Sequence, residues 1–224
     1  MSAYNAEERV AASVQSALDQ RKLDGSEFSK DEYEVVVVND GSQDRTQEIL
    51  EGYGDQITLL YHENEGGHGH LGTNYGILHS QSDLIVKLDS DDFLLPGHIA
   101  RCKQMMDDEG FDYLTPNYEE VFEDGSPTIN WDVGENPFNC IAIGIMWRRS
   151  FLAKIGIYDP SFFFAEYDLM NRAIGAGGKR GHIEDILFRY VTHGSSMTTT
   201  GRDKVEAGRK ALFDKWGEFP MREY

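Results

Sequence analysis

Twice within the first hundred residues a short, largely aliphatic segment gives way abruptly to a polar turn that carries carboxylates. Val35-Val36-Val37-Val38 runs into Asn39-Asp40-Gly41-Ser42, and the segment from Leu84 to Leu88 runs into Asp89-Ser90-Asp91-Asp92. The continuous Val run marks a strand buried on both faces, which requires helices on either side of a sheet, and the segment from Leu84 to Leu88 reads as another short buried strand. The intervening segments supply them. Asn5 followed by Glu8 forms a capping-box pattern, and Val10, Val14, Ala17 and Leu18 then recur at helical spacing. A second helix is expected with Ser42 or Asp44 as its cap and Ile49 and Leu50 on its apolar face, then a strand over 57–61, a helix over 71–80 and a helix opened by Pro96. Alternation of this kind predicts an α/β chain with a mixed, mostly parallel sheet, and such sheets bind ligands beyond the carboxyl ends of their strands. Both carboxylate clusters fall there.

The remainder reads less regularly. A hairpin is expected around Glu123-Asp124-Gly125-Ser126, strands over 141–147 and 183–191, a helix from about Glu166, and an amphipathic helix from about Asp203 to Trp216. No repeat or low-complexity linker divides the 224 residues, so one domain is expected over 1–224. The 39 acidic residues against 21 basic ones give a formal charge of −18, and the basic residues cluster only in pairs. That balance argues against a nucleic-acid partner. Cys102 and Cys140 lie in apolar patterns and read as buried free thiols. No apolar run reaches the length of about 18 residues that a membrane span needs, and no leader is visible, so a cytoplasmic location is expected, with peripheral association at the membrane face allowed.

The chemistry rests on the two clusters. Asp40, beside a glycine that lets the backbone turn, is placed to accept a hydrogen bond from a pyrimidine ring N–H or a ribose hydroxyl; capping of the next helix is the equal alternative. Asp89, Asp91 and Asp92 lie within four residues and would raise one another's pKa unless a cation neutralised them. Mg²⁺ in particular takes one or two carboxylates together with substrate phosphates. His193, after a strand and before Gly194-Ser195-Ser196, is placed to close over a diphosphate or to complete a metal shell. His62, His68, His70 and His79 fit no zinc spacing, and a glycine-rich loop near donor phosphates is the preferred reading of that region.

Taken together these segments resemble glycosyltransferase family 2, the inverting enzymes of the GT-A fold. Ser2-Ala3-Tyr4-Asn5-Ala6-Glu7 is similar to the family's opening motif, and Val38-Asn39-Asp40-Gly41-Ser42 with Asp44 and Thr46 to its nucleotide-binding segment. Asp89-Ser90-Asp91-Asp92 matches its Asp-x-Asp element, with Pro96-Gly97 following. Glu166-Tyr167-Asp168-Leu169 with Arg172 resembles the motif that supplies the base, and His193-Gly194-Ser195-Ser196-Met197-Thr198 the late His motif. The resemblance implies transfer of a sugar from a UDP-, GDP- or dTDP-linked donor to a saccharide or lipid-linked hydroxyl acceptor. It implies Mn²⁺ or Mg²⁺ held by Asp91, Asp89 and His193, and a catalytic base at Glu166, with Asp168 as the alternative. Donor contacts are implied for Ala3, Tyr4, Asn5, Asp40, Gly67, Asn74, Asp89, Ser90 and His193. The nucleotide-sugar half would span about 1–110 and the acceptor half about 111–224.

The chain departs from the family pattern at three places. Glu166 stands where Asp is usual, Thr73 stands where an Arg is usual in the segment from Asn64 to Asn74, and the apolar strand normally leading into Ala-Tyr-Asn is not seen. The last departure predicts either four to seven apolar residues ahead of Ser2 or another segment in the central slot of the sheet. The rival reading is a catalytically degenerate module that holds a nucleotide sugar or a glycan.

Overall fold

A computed structural model describes residues 1–222, with the side-chain surroundings of Gly67, Thr198 and Thr200 outside the described part. The Val run becomes the middle strand of a three-stranded parallel sheet, β2 (Val36–Asn39), flanked by β1 (Ser2–Ala3) and β3 (Thr58–Tyr61). A six-stranded sheet lies beside it. Its order is β4 (Leu84–Val86), β8 (Met146–Arg148), β6 (Tyr113–Phe122), β9 (Arg180–Thr192) and β5 (Phe93–Leu94), with β7 (Ile129–Trp131) paired to β6. A parallel bridge, Ser2 to Asp89, links the two sheets. The architecture is α/β and the sheet mixed. Parallel pairing holds for β1–β2, β2–β3 and β6–β9, whereas β4–β8, β6–β8, β6–β7 and β5–β9 are antiparallel. Helical crossovers accompany the parallel pairs, including β6–β9, whose connection contains α5 and α6. Further on, strands return through turns such as the one at Gly125, whose φ of 84° suits glycine.

The helices are α1 (Val10–Leu18), α2 (Thr46–Glu51), α3 (His70–His79), α4 (His98–Glu109), α5 (Arg149–Ile155), α6 (Ala165–Gly175), α7 (Met197–Thr200) and α8 (Arg202–Trp216). Val10 and Val14 of α1 and Leu50 of α2 are fully buried with Val37 in one apolar cluster. The larger cluster runs through Tyr113, Trp147, Tyr118 and Phe188, whose rings stack in pairs at 4.9 and 4.8 Å. Cys102 and Cys140 are free and buried. Among the described residues no helix is long and apolar enough to cross a membrane.

The expectation for the helix caps is corrected. Asn5 does not cap α1, because it sits at φ 47° and its Oδ1 accepts from the Gln43 amide at 2.8 Å. The amides ahead of α1 are satisfied across space by the turn after β2. Asn5 N–H donates to Ser42 Oγ at 3.0 Å, Ala6 N–H to Thr46 Oγ1 at 2.8 Å, and Glu7 N–H to Asp44 Oδ2 at 3.0 Å. The two motifs therefore lock each other. Neither Ser42 nor Asp44 is the N-cap of α2, which is Arg45, but Asp44 just ahead of it accepts from the Thr46 N–H of the first turn at 3.0 Å. Of the two alternatives expected for the central slot, another segment filling it is not seen: beyond β1, no other described segment enters. β4 pairs on one edge only, with β8, and a cavity of about 440 Å³ lies between that strand and β2, lined by Val35, Val36, Ile85, Val86 and Trp147.

Candidate active site

The carboxyl ends of β1, β2 and β4 open into a cleft of about 530 Å³, with Tyr4, Asp40, Asp89, Asp91, Glu166 and His193 in its walls. Residues separated by more than 150 positions share it because the parallel strands all point their ends the same way. Asn5 and Ser90 line it as well. Ala3 does not, since its side chain is fully buried beneath the sheet, and it contributes backbone only.

Asp40 follows β2 and is 1% exposed. Its Oδ1 lies 2.7 Å from His62 Nδ1, and its buried Oδ2 has no hydrogen-bond partner among the described residues. Gly72 of α3 makes this possible. A Cβ there would stand 2.4 Å from Ser2 Oγ and 3.1 Å from Asp40 Cγ, so any larger residue would displace the Ser2 hydroxyl and crowd the carboxylate.

The acidic turn after β4 divides its four residues among separate tasks. Asp92 is buried and accepts from Val191 N–H of β9 at 2.8 Å; burial, with the charges of Asp91 and Asp89, pushes its carboxyl well above the usual range. Asp92 is thereby a tie to β9. Asp91 Oδ2 lies 3.0 Å from His193 Nε2, while His193 Nδ1 meets Ser195 Oγ at 2.9 Å. Burial first, and the charge of Asp89 second, raise the Asp91 pKa. A carboxylate and an imidazole side by side, in a place that penalises negative charge, fit a divalent cation. The expected third ligand is not with them. Asp89 lines the same cleft but is held by Lys87, whose Nζ sits 2.6 and 2.8 Å from its two oxygens, which leaves Asp91 and His193 as the pair facing each other. No group of three or more His, Cys, Asp or Glu arranged for a metal occurs among the described residues, and further ligands would have to come from phosphate oxygens.

α6 presents its first turn to the cleft. Glu166 lines the opening, and burial pushes its pKa up to about 7, with Lys87 pulling down and Asp89 pushing up by smaller amounts. Asp168 points the other way. It is wholly buried and accepts from Arg172 Nε at 2.8 Å, Lys215 Nζ at 2.7 Å and Trp216 Nε1 at 2.9 Å. Arg172 in turn donates to the carbonyls of Ile155, Gly156 and Ile157. Asp168 thus joins α6 to the end of α8 and to the turn after α5, and it is removed as a candidate base.

Asn74 is likewise corrected. Its Nδ2 donates to the Tyr158 carbonyl at 2.7 Å and its Oδ1 accepts from the Tyr158 amide at 3.2 Å, so both ends of the amide are consumed in holding a loop. The surroundings of Gly67 lie outside the described residues, though its backbone belongs to the short turn Gly67–Gly69. The four histidines do not form a cluster. His68 packs edge-on against Phe163, His70 lies 3.3 Å from the Phe163 carbonyl with its pKa lowered by burial to about 4, His79 meets the Tyr75 carbonyl, and His62 serves Asp40.

The match to known proteins agrees with this arrangement of strand ends. A family model described as Glycosyl transferase family 2 covers residues 1–156. The chain belongs to glycosyl transferase family 2. This family-2 chain is 26% identical over 231 residues to the succinoglycan biosynthesis protein ExoU of Rhizobium meliloti (strain 1021), spanning 90% of the chain and 64% of ExoU. It is 30% identical over 209 residues to the putative glycosyltransferase EpsH of Bacillus subtilis (strain 168), spanning 85% of the chain and 53% of EpsH. The chain therefore covers less than two thirds of either relative. Among solved structures, S. aureus TarS 1-349 in complex with UDP-GlcNAc superposes with a TM-score of 0.74 at 16% identity, over 95% of this chain and 65% of that one. The mannosyltransferase PcManGT from Pyrobaculum calidifontis, in complex with GDP-Man and Mn²⁺, gives 0.63 at 15% identity, over 84% and 54%. At such identities the likeness establishes the fold, which is the GT-A fold of family-2 glycosyltransferases.

Sequence reasoning missed Lys87, Arg9 and Phe163 of the cleft. Lys87 interrupts an apolar run just before the acidic motif, which was a visible signal; nothing in the sequence marked the other two.

Proposed function

We propose that this family-2 chain transfers a sugar from a nucleoside diphosphate sugar to a hydroxyl acceptor with inversion at the anomeric carbon. The observation that carries the reading is Glu166, a cleft carboxyl with its pKa pushed up to about 7, in the same opening as the Asp91–His193 pair. Asp40 would accept from the base or ribose, and Asp89, steadied by Lys87, would face the ribose or phosphates. A carboxylate with a pKa near the working pH suits general-base removal of a hydroxyl proton. The acceptor oxygen would bond to the anomeric carbon as its proton passes to Glu166, while the bond from that carbon to the diphosphate oxygen breaks and its electron pair leaves with the phosphate. Attack from the side opposite the departing diphosphate gives inversion. When bound, Mn²⁺ or Mg²⁺ at Asp91 and His193 would supply charge neutralisation for the diphosphate. Without such a cation, Asp89 and Asp91 would repel that anion.

The relatives' names favour a growing polysaccharide as acceptor: besides ExoU, the chain is 25% identical over 211 residues to the chondroitin synthase of Pasteurella multocida (strain Pm70), spanning 90% of the chain and 21% of that enzyme. A lipid-linked saccharide offers the same hydroxyl chemistry. The test is release of nucleoside diphosphate from UDP-, GDP- and dTDP-sugars with MnCl₂, with and without a saccharide acceptor. Cation-dependent release that is lost in Asp91→Ala and Glu166→Gln is expected. Tight, cation-independent nucleotide binding with no turnover of any donor would instead identify a binding module.

A further inference from the structure

Permanent positive charge is scarce in the cleft. Among the described residues that line it, Arg9 and Lys87 are the only arginine and lysine, set against the carboxyls of Asp40, Asp89, Asp91, Asp92 and Glu166. Lys87 is buried and grips both oxygens of Asp89. Arg9 is therefore the cation that can turn toward an incoming anion. It stands just ahead of α1, and its guanidinium meets the Glu123 carboxylate through two parallel contacts, Nε to Oε1 at 3.1 Å and Nη2 to Oε2 at 3.0 Å, with Nη1 on the exposed Glu8 at 3.2 Å.

The ion pair crosses the mouth of the cleft. The start of α1 is tied to the turn after β2, on the side of the three-stranded sheet. Glu123 follows β6, and its N–H donates at 3.1 Å to the carbonyl of Thr192, the residue before His193, on the side of the six-stranded sheet. The bridge lies close to the Asp91–His193 pair. Contact with Glu123 first, and the charge of Asp91 as a smaller influence, raise the Arg9 pKa; contact with Arg9 first, and the charge of His193 as a smaller influence, lower that of Glu123.

We infer that this pair is a gate worked by the donor, in which Arg9 leaves Glu123 and takes the diphosphate. The inference rests on the cleft being the nucleotide-sugar site, as proposed above. Arg9 is 26% and Glu123 47% exposed, and an ion pair so wetted shifts an equilibrium by about fivefold at most. The same guanidinium fork on phosphate oxygens makes charge-assisted hydrogen bonds worth about tenfold or more. A diphosphate also brings more negative charge to Arg9 than one carboxylate does, and it repels Glu123 as it arrives. The phosphate wins the arginine.

The experiment is a calorimetric double-mutant cycle on the full chain with saturating MnCl₂, using whichever of UDP, GDP and dTDP the parent binds most tightly. Glu123→Gln removes the competing carboxylate and should tighten nucleotide binding by about two- to fivefold, the most that the pair itself can withhold. Arg9→Gln should weaken it about tenfold. Adding Glu123→Gln to Arg9→Gln should then change nothing, because no arginine is left to release. A fixed brace across the rim would lose affinity with either half, and the bare field of Glu123 would act equally in both backgrounds. Weaker binding in a folded Glu123→Gln, equal tightening with and without Arg9, or unchanged affinity in a folded Arg9→Gln overturns the inference alone. The sign of the Glu123→Gln effect can overturn it even if the arginine variant does not fold. Binding of none of the three nucleotides to the parent overturns the donor-site reading itself, and this inference with it.

Discussion

The cleft face and the core face of α6 treat two carboxylates, two residues apart, in opposite ways. Asp168 is fully buried yet surrounded by an arginine, a lysine and an indole N–H, so its charge is matched from three sides. Glu166 borders the cleft, and the nearest cation, Lys87, is already held by Asp89, so burial raises its pKa to about 7. Residues two apart on a helix point about 200° away from each other, which is why the two cannot share a role. A charge that is fully paired stabilises a fold, whereas one left partly unpaired is available to take a proton. The better-buried acid is thus the structural one, and the less satisfied acid is the reactive candidate.

Substitutions at the two positions should separate accordingly. The largest effect is expected from Glu166→Gln, which should lower the transfer rate by about 10²–10⁴ while leaving cation-dependent nucleotide affinity intact, as read by coupled turnover and calorimetry. The same variant should melt no lower than the parent at pH 8. The folded pKa of Glu166 lies above its ordinary value of 4.5, so ionisation disfavours the folded state increasingly from pH 4.5 up to about 7, and the amide removes that burden. Asp168→Ala should do the reverse. It leaves Arg172 and Lys215 without their partner and should cost about 3 kcal/mol in denaturant unfolding, toward the low end for a broken buried pair because Lys215 is 39% exposed and rehydrates. The fraction that remains folded should turn over donor at close to the parent rate. If Asp168→Ala abolished transfer in a folded protein while Glu166→Gln did not, the roles of the two faces would be exchanged. A smaller effect is expected at Asn74→Ala, about 1–3 kcal/mol of stability from two lost backbone contacts, with nucleotide affinity unchanged. A specific loss of nucleotide affinity there would return Asn74 to the donor site.

Much of this contrast was legible in the sequence, and the reason is geometric. Asp40, Asp89, Asp91 and His193 each follow a strand, and strand ends of a parallel sheet converge, so a linear motif after an apolar run already states its place in space. The turn of α6 was legible to within one residue for a similar reason, since helical spacing alone puts Glu166 and Asp168 on different faces. What spacing does not carry is which face meets the cleft, because that depends on Lys215 and Trp216, some 48 residues later, docking against one of them. The pairings Lys87 to Asp89 and His62 to Asp40 were hidden for different reasons. Lys87 sits in an otherwise apolar strand and reads as an interruption until its neighbour is seen. His62 lies among three other histidines whose spacing suggested a loop, and only the β2–β3 register brings it beside Asp40. Asn5 was misjudged because its capping pattern is local, whereas the turn after β2 supplies stronger partners from 37 residues away or more.

The central claim, that the raised carboxyl of Glu166 is the base, is tested most directly by the pH dependence of the transfer step under single-turnover conditions with saturating donor and MnCl₂. The rate should climb with pH along a limb whose midpoint is near 7 as Glu166 ionises, and that limb should vanish in Glu166→Gln while surviving in Asp168→Asn. A limb that persists unchanged in Glu166→Gln, or a rate independent of pH from about 5.5 to 8.5 in the parent, as would follow for a group ionised at its ordinary value of 4.5, would contradict the account.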